Sequence, residues 1–185
     1  PQKVYKPKSS EEIRDILATQ PHGERISVIA SGHSCSRLWI NGTIITLDSM
    51  PKVFEEVKEK DKPAFSTVRV SANTTFRECM QLLADNERTL PAMGGVDEQQ
   101  LGGLLGTNTA PASKEVTVYS DMLEIEYVTK DEAHNRAKGE DLKALIGNLG
   151  LVGVVTYITI GTIPHYGMKA IPVSYTHLTL PTIYS

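Results

Sequence analysis

Apolar residues at Ile13, Ile16 and Leu17 recur at helical spacing behind the polar run Lys8-Ser9-Ser10-Glu11-Glu12. Ser9 can cap the first turn and Glu12 can reach back as its box partner, so the pattern predicts a helix to about Thr19, closed by His22-Gly23. A short strand over Arg25 to Ala30 then delivers the chain into Ser31-Gly32-His33-Ser34-Cys35-Ser36. Thr43 to Leu47 alternates as a second strand, and Val53 to Val57 reads as a third. Thr67 to Ser71 is another, followed by a helix from Thr74 or Thr75 to Asn86 with Phe76, Cys79, Met80 and Leu83 on one face. A glycine-dense passage runs from Met93 to Thr109. Asp121 to Thr129 alternates apolar and acidic residues, as an antiparallel strand with one wet face does. Asp141 to Ile146 predicts a short helix, and Val152 to Ile163 an interior strand.

These elements predict an α+β fold: a small β-α-β opening unit, then a larger group of strands and helices. Helices and strands do not alternate strictly, which argues against a doubly wound parallel sheet. No internal repeat or low-complexity segment interrupts the pattern.

Composition narrows the function classes. The 185 residues carry a formal charge of −3 with lysine and arginine scattered, so no concentrated cationic face for nucleic acid is expected. The densest basic patch, Lys52, Lys58, Lys60 and Lys62, alternates with acids and reads as a solvated hairpin or loop. Two cysteines, Cys35 and Cys79, provide neither a disulfide framework nor a thiolate metal cluster. No apolar run approaches the roughly 20 residues of a membrane span. No histidine, cysteine and aspartate set has metal spacing, and no serine–histidine–acid set stands out.

Three stretches are candidates for chemistry. Ser31-Gly32-His33-Ser34 follows a strand with small residues whose successive N–H groups can form a nest for phosphate oxygens, and its histidine places a nucleophilic ring nitrogen beside the bound group. An ordinary tight turn with an exposed histidine fits the same residues. Gly94-Gly95 and Gly102-Gly103-Leu104-Leu105-Gly106-Thr107-Asn108-Thr109 concentrate glycine where the chain passes close to something flat or anionic, or where a glycine-rich helix packs into a joint. The spacing is neither that of a Rossmann turn nor that of a P-loop. Leu149-Gly150-Leu151-Val152-Gly153-Val154-Val155 reads by itself as the start of a core strand.

Taken in order, Ser-Gly-His-Ser, then Gly-Gly-Leu-Leu-Gly-Thr, then Leu-Gly-Leu-Val-Gly-Val-Val resembles the FAD-binding domain of the vanillyl-alcohol oxidase family, nearest its aldonolactone and alditol oxidase branch. The resemblance covers nearly all of Val4 to Gly167, including the entry helix and Ile44 to Val53. It implies a two-subdomain FAD-binding domain over residues 1–171, divided into about 1–57 and 66–165. It further implies that Ala30, Ser31, Gly32, His33, Ser34, Cys35 and Ser36 wrap the FAD pyrophosphate. His33 matches the histidine that many members bond covalently to the flavin 8α-methyl carbon. Gly95, Gln100, Gly103, Thr107, Asn108, Thr109 and Ala110 would line the pyrophosphate and the isoalloxazine ring, and Val154 or Val155 would touch the cofactor through its backbone. Gly94 falls where a small residue goes with oxygen reaching the flavin, which favours an oxidase over a dehydrogenase. The implied reaction is oxidation of an alcohol carbon of a polyol or sugar lactone with oxygen as acceptor, the base and substrate clamp coming from a C-terminal substrate domain. Asn108-Thr109-Ala110 departs from the Gly-Thr-His common in the family, and Cys35 stands where aromatic residues or proline are common.

Residues 172–185 continue no upstream pattern and resemble a translated reading frame of a transposase adapter used in sequencing libraries. They are expected to be non-native, with no role for Tyr175 or His177. His22 and His134 read as exposed loop residues, and His165 as a surface residue just past the last strand.

Overall fold

The computed structural model describes residues 3–21, 23–34, 42–92, 94–111 and 116–167. The expected roles of His22, Cys35 and Ser36, and the 172–185 tail, lie outside the described residues.

A first layer is built from β1 (Lys3–Tyr5), α1 (Ser10–Thr19), β2 (Ile26–Val28) and β3 (Thr43–Ile45). Ser9 caps α1, its hydroxyl accepting from Glu12 N at 3.2 Å. The Glu12 carboxylate accepts instead from Lys8 N at 2.7 Å, one residue beyond the expected box partner. All three strands are parallel, in the order β1-β3-β2. The central strand β3 is buried at every position rather than alternating, as a strand covered on both faces must be. Its one polar residue, Thr43, is satisfied by the Gln20 side-chain oxygen at 2.8 Å.

A second layer holds β4 (Phe54–Glu56), β5 (Thr67–Ser71), α2 (Phe76–Ala84), β6 (Arg88–Thr89), α3 (Leu101–Gly106), β7 (Met122–Val128), β8 (Asn135–Lys138), α4 (Leu142–Leu145), β9 (Val154–Gly161) and β10 (Ile163–Pro164). Five of these strands form an antiparallel sheet ordered β4-β5-β9-β7-β8, while β6 and β10 make a separate antiparallel pair. β4 hydrogen-bonds with β5, and Phe54 stacks on Phe65 from the connection between them. The strand read at Val53 to Val57 thus sits in the larger sheet, although a division near residue 57 would assign it to the first layer. α2 starts in a complete capping box between Thr75 and Glu78. The core draws Val68, Val70, Ile125, Ile158 and Ile160 from the sheet together with Phe76, Leu83, Leu104 and Leu105 from α2 and α3.

The acidic residues that alternate along β7 are not left in water. The Arg69 guanidinium donates to Glu126 (Nε–Oε1 2.5 Å, Nη2–Oε2 3.1 Å) and to Glu55 at 2.9 Å, and lies 3.8 Å from the Tyr157 ring centre. Glu124 meets Lys138 at 2.7 Å and Arg136 at 3.3 Å. A cross-strand ladder of opposite charges therefore covers the polar positions of β4, β5, β7 and β8. Hydrogen bonding to Glu126 raises the pKa of Arg69 further above its usual value, against the opposing effect of burial.

Candidate functional site

β2 ends as Ile29 N donates to Ile45 O at 2.9 Å, and the chain leaves the sheet at Ala30 into the turn holding His33. A hydrogen bond fastens the turn to the glycine-rich segment: Ser31 Oγ accepts from Gln100 N, the cap residue of α3, at 2.9 Å. α3 lies so close to its neighbours that a side chain at Gly103 would clash and one at Gly102 would be tight. A β-carbon on Gly103 would stand 2.7 Å from Ala30 Cβ, and one on Gly102 would stand 3.0 Å from Ala72 Cβ. The first N–H groups of the helix are used by the fold, with Leu101 N donating to Thr74 O at 2.9 Å and Gly102 N to Ala72 O at 2.8 Å.

The far end of α3 closes in a Schellman motif. Asn108 occupies the left-handed region at φ 50°, its N–H donates to Leu105 O, and Thr109 N donates to Leu104 O. The 147–149 loop donates two more N–H groups to the helix, Gly147 N to Leu105 O at 2.9 Å and Leu149 N to Gly106 O at 3.0 Å. The Tyr119 hydroxyl donates to Leu104 O at 2.7 Å, and burial raises its pKa above the usual phenol value. Asn148 holds the loop, its side chain donating to Leu145 O and accepting from Gly150 N.

Between β2 with its turn, α3 and the 148–153 loop lies an open cleft of about 320 Å³. Ala30, Ser31, Gly32, His33, Ser34, Gln100, Gly103, Thr107 and Val155 all line it. Gly94, Gly95, Asn108, Thr109, Ala110 and Val154 are not among its lining residues. Val154 faces the core at 1% exposure, and Asn108 is occupied in closing α3. The sequence reading missed the apolar floor from Ile26, Val28 and Leu47, and the lip formed by Asn148, Leu149 and Leu151. Leu151 is 87% exposed, an unusual position for a leucine. Only its place in the Leu-Gly-Leu-Val-Gly motif hinted at a role.

Among the described lining residues none is lysine, arginine, aspartate or glutamate, and His33 is the one titratable group. A ligand here meets apolar walls, serine and threonine hydroxyls, amides and backbone N–H groups. An anionic group would be held by neutral donors rather than by countercharges. That donor set, with glycines letting two segments close on one groove, fits a dinucleotide of flat rings joined by a pyrophosphate.

Comparison with known families gives the same answer. A profile described as an FAD binding domain matches residues 1–136, well over half of the chain. The chain belongs to this FAD binding domain family. Its relatives include the D-arabinono-1,4-lactone oxidase of Candida albicans, 24% identical over 186 residues covering 92% of this chain and 33% of that protein. The Kluyveromyces lactis protein of the same name is 25% identical, covering 92% and 34%. The L-gulono-1,4-lactone dehydrogenase of Mycobacterium tuberculosis is 26% identical over 168 residues, covering 89% and 38%. The chain thus spans about a third of the length of these curated relatives. In an FAD binding domain the cofactor supplies two-electron redox chemistry when bound. The protein's part is to seat it, and the residues that would do so here are those of the 30–34 turn, the Gly103 face of α3 and Val155.

Other reactive groups lie apart from the cleft. Burial at 1% exposure pushes the Cys79 thiol up to about 12, so it is a core residue and not a nucleophile. His134 is exposed and pairs with Glu11 at 2.8 Å, and His165 is exposed beyond β10. No group of histidine, cysteine and acidic residues fit to hold a metal occurs among the described residues. No helix among the described residues is long and apolar enough to cross a membrane.

Proposed function

We propose that this chain is the cofactor-seating part of a flavin-dependent oxidoreductase that oxidises an alcohol carbon of a sugar lactone or polyol, with oxygen as the acceptor. The observation that carries the reading is the fastening of the His33 turn to α3, through Ser31 and Gln100 and through the contact of Gly103 with Ala30. It puts two motifs that lie far apart in the chain on one cleft.

The finer arrangement is that of a two-subdomain domain of the vanillyl-alcohol oxidase type over residues 1–171, with the cofactor between the parallel layer and the antiparallel one. Ala30 to Ser36 hold the pyrophosphate, while Gly95, Gln100, Gly103 and Thr107 to Ala110 border the pyrophosphate and the isoalloxazine ring. His33, exposed on the cleft wall, is the residue that forms a covalent link to the flavin. The base and the substrate clamp belong to residues outside this chain, in a whole protein of the relatives' length. Absorbance before and after acid precipitation tests the reading: a flavin spectrum that stays with the precipitate, and leaves it in His33→Ala, is the expected outcome. Protein purified and reconstituted without any flavin spectrum would overturn it.

A second reading, a dehydrogenase on the same cofactor, is favoured by the mycobacterial relatives of that name. Gly94 bears on the choice. A β-carbon there would make only ordinary contact, 3.6 Å from Thr109 Cγ2, so its absence is not demanded by packing and is free to serve oxygen access. Rapid reoxidation of the reduced whole protein by oxygen, slowed in Gly94→Ala, supports the oxidase; slow reoxidation in the parent supports the dehydrogenase.

A further inference from the structure

Two charged residues are buried among the described residues, Glu126 and Arg88. Glu126 is answered by Arg69. Arg88, 8% exposed on β6, has no carboxylate within ion-pair distance among the described residues. The more exposed Arg14, Arg77 and Arg136 each reach one. The exception thus falls where desolvation makes an unpaired charge most costly.

Neutral groups hold Arg88 instead. Its Nε donates to Thr162 Oγ1 at 2.9 Å and its Nη2 to Thr162 O at 2.7 Å. Thr162 is itself fixed, its hydroxyl donating to Phe65 O at 2.6 Å and its N–H to Ser66 O at 2.9 Å. These bonds take one edge of the planar guanidinium. The other edge, Nη1 with the second proton of Nη2, has no hydrogen-bond partner among the described residues. The side-chain atoms there that are both fully buried and unpartnered are Asn73 Oδ1 and Gln99 Oε1, so the free edge of Arg88 opens at the surface.

An edge with two parallel N–H groups is the shape that takes a carboxylate bidentately. Its place in the fold bears on where that acid comes from. Arg88 stands opposite Pro164 in the β6–β10 pair, a two-stranded ribbon that joins neither of the larger sheets. Such a ribbon is marginal by itself. His165 N donates to Glu87 O at 2.9 Å, so the chain leaving β10 still runs beside the strand of Arg88, and Tyr166 after it is 46% exposed. The chain spans about a third of the length of its relatives. We propose that the free edge of Arg88 is a docking point for the substrate domain, occupied in the whole protein by an aspartate or glutamate carboxylate of that domain. The inference rests on the proposed reading that such a domain follows this chain, and not on how FAD is seated.

The test compares the 185-residue chain with the whole protein. With ¹⁵N-labelled arginine, the Arg88 Nη protons are expected to exchange freely with water in the chain. In the whole protein they are expected downfield and slowed by about tenfold or more. Arg88→Gln keeps a donor for Thr162 and removes the charge. Opening of the ribbon is read from hydrogen exchange of the His165 amide. The variant is expected to change that exchange by less than about threefold in the chain, and to speed it by about tenfold or more in the whole protein. If the variant does not fold, the parent Nη protons decide. Nη protons equally free in both proteins overturn the docking, as does an equal effect of the variant in both. Protection in the chain that rises with protein concentration overturns it in favour of pairing between two copies. A whole protein that binds FAD while Arg88 stays unpaired removes the docking alone and leaves the cofactor reading standing; one that binds no FAD removes the cofactor reading, and the Nη protons still decide the docking.

Discussion

Gly103 and Ala30 meet so closely that a β-carbon on the glycine would stand 2.7 Å from the alanine methyl. Real β-carbons do not approach to that distance, so α3 can rest on the end of β2 only while residue 103 is glycine. Gly103→Ala is expected to cost about 1–3 kcal/mol through overpacking, and to weaken FAD binding by displacing one wall of the cleft. Gly106, in the same helix, has no atom within 4 Å of a built β-carbon. Gly106→Ala should therefore be neutral, or stabilising by about 0.5–1 kcal/mol through helix propensity. Urea unfolding of the two variants gives the comparison, and Ala30→Gly should restore part of the loss in Gly103→Ala.

The Ser31 hydroxyl ties the His33 turn to the cap of α3. Ser31→Ala should lower stability by about 0.5–1.5 kcal/mol, the worth of one such bond. FAD titration should show a larger proportional loss of affinity than Gln20→Ala, which removes side-chain hydrogen bonds to Thr43 and Ile16, residues that do not line the cleft.

Asn108 is held in the left-handed region by the turn that ends α3. Asn108→Gly should be neutral or stabilising, whereas Asn108→Val should destabilise by about 1 kcal/mol or more, because a β-branched residue resists that conformation. Thermal unfolding checks the sign. A preserved FAD affinity in Asn108→Gly would mark this residue as a helix terminator rather than a cofactor contact.

Much of this was readable in the sequence. Thr67 to Ser71 coincides with β5, and the cap residues Ser9 and Thr75 mark the starts of α1 and α2, because capping and strand alternation are local signals. What escaped was non-local. β8 reads Asn135-Arg136-Ala137-Lys138 and lacks the usual strand residues. It forms because Arg136 and Lys138 answer the acids of β7. α3 is half glycine, with poor helix propensity, and is held by bonds from Thr74, Ala72 and the 147–149 loop. For the cleft, the motifs identified the turn and the glycine face. The floor from Ile26 and Val28, and the lip at Leu151, depend on which strand edge is left open, and that is a property of sheet order.

Arg69 neutralises Glu126, whose side chain is only 11% exposed. Arg69→Met should cost about 1–3 kcal/mol by leaving that carboxylate with only the longer ion pair to Arg136, at 3.9 Å. Arg69→Met combined with Glu126→Gln should recover much of the loss, and a double-mutant cycle in urea measures the coupling.

Glu11 sits in the first turn of α1 and faces His134 from the connection between β7 and β8. A backbone hydrogen bond at the helix start, then the hydrogen bond with His134, lower its pKa from 4.5 to about 2. A carboxylate with a depressed folded pKa contributes stability above its unfolded value and loses it as pH falls through the folded one. Glu11→Gln is therefore expected to be less stable than the parent at pH 6, with the difference shrinking between pH 4.5 and about 2. Unfolding midpoints across that range check it; a difference independent of pH would refute the assignment.

Equilibrium titration of FAD into the folded chain, followed by flavin fluorescence anisotropy, tests the central claim most directly. A cleft made jointly by the His33 turn and α3 predicts saturable one-to-one binding in the parent, and markedly weaker binding in a Gly103→Ala protein that circular dichroism shows to be folded. Binding that does not saturate, or that is equally tight in the folded variant, would contradict it.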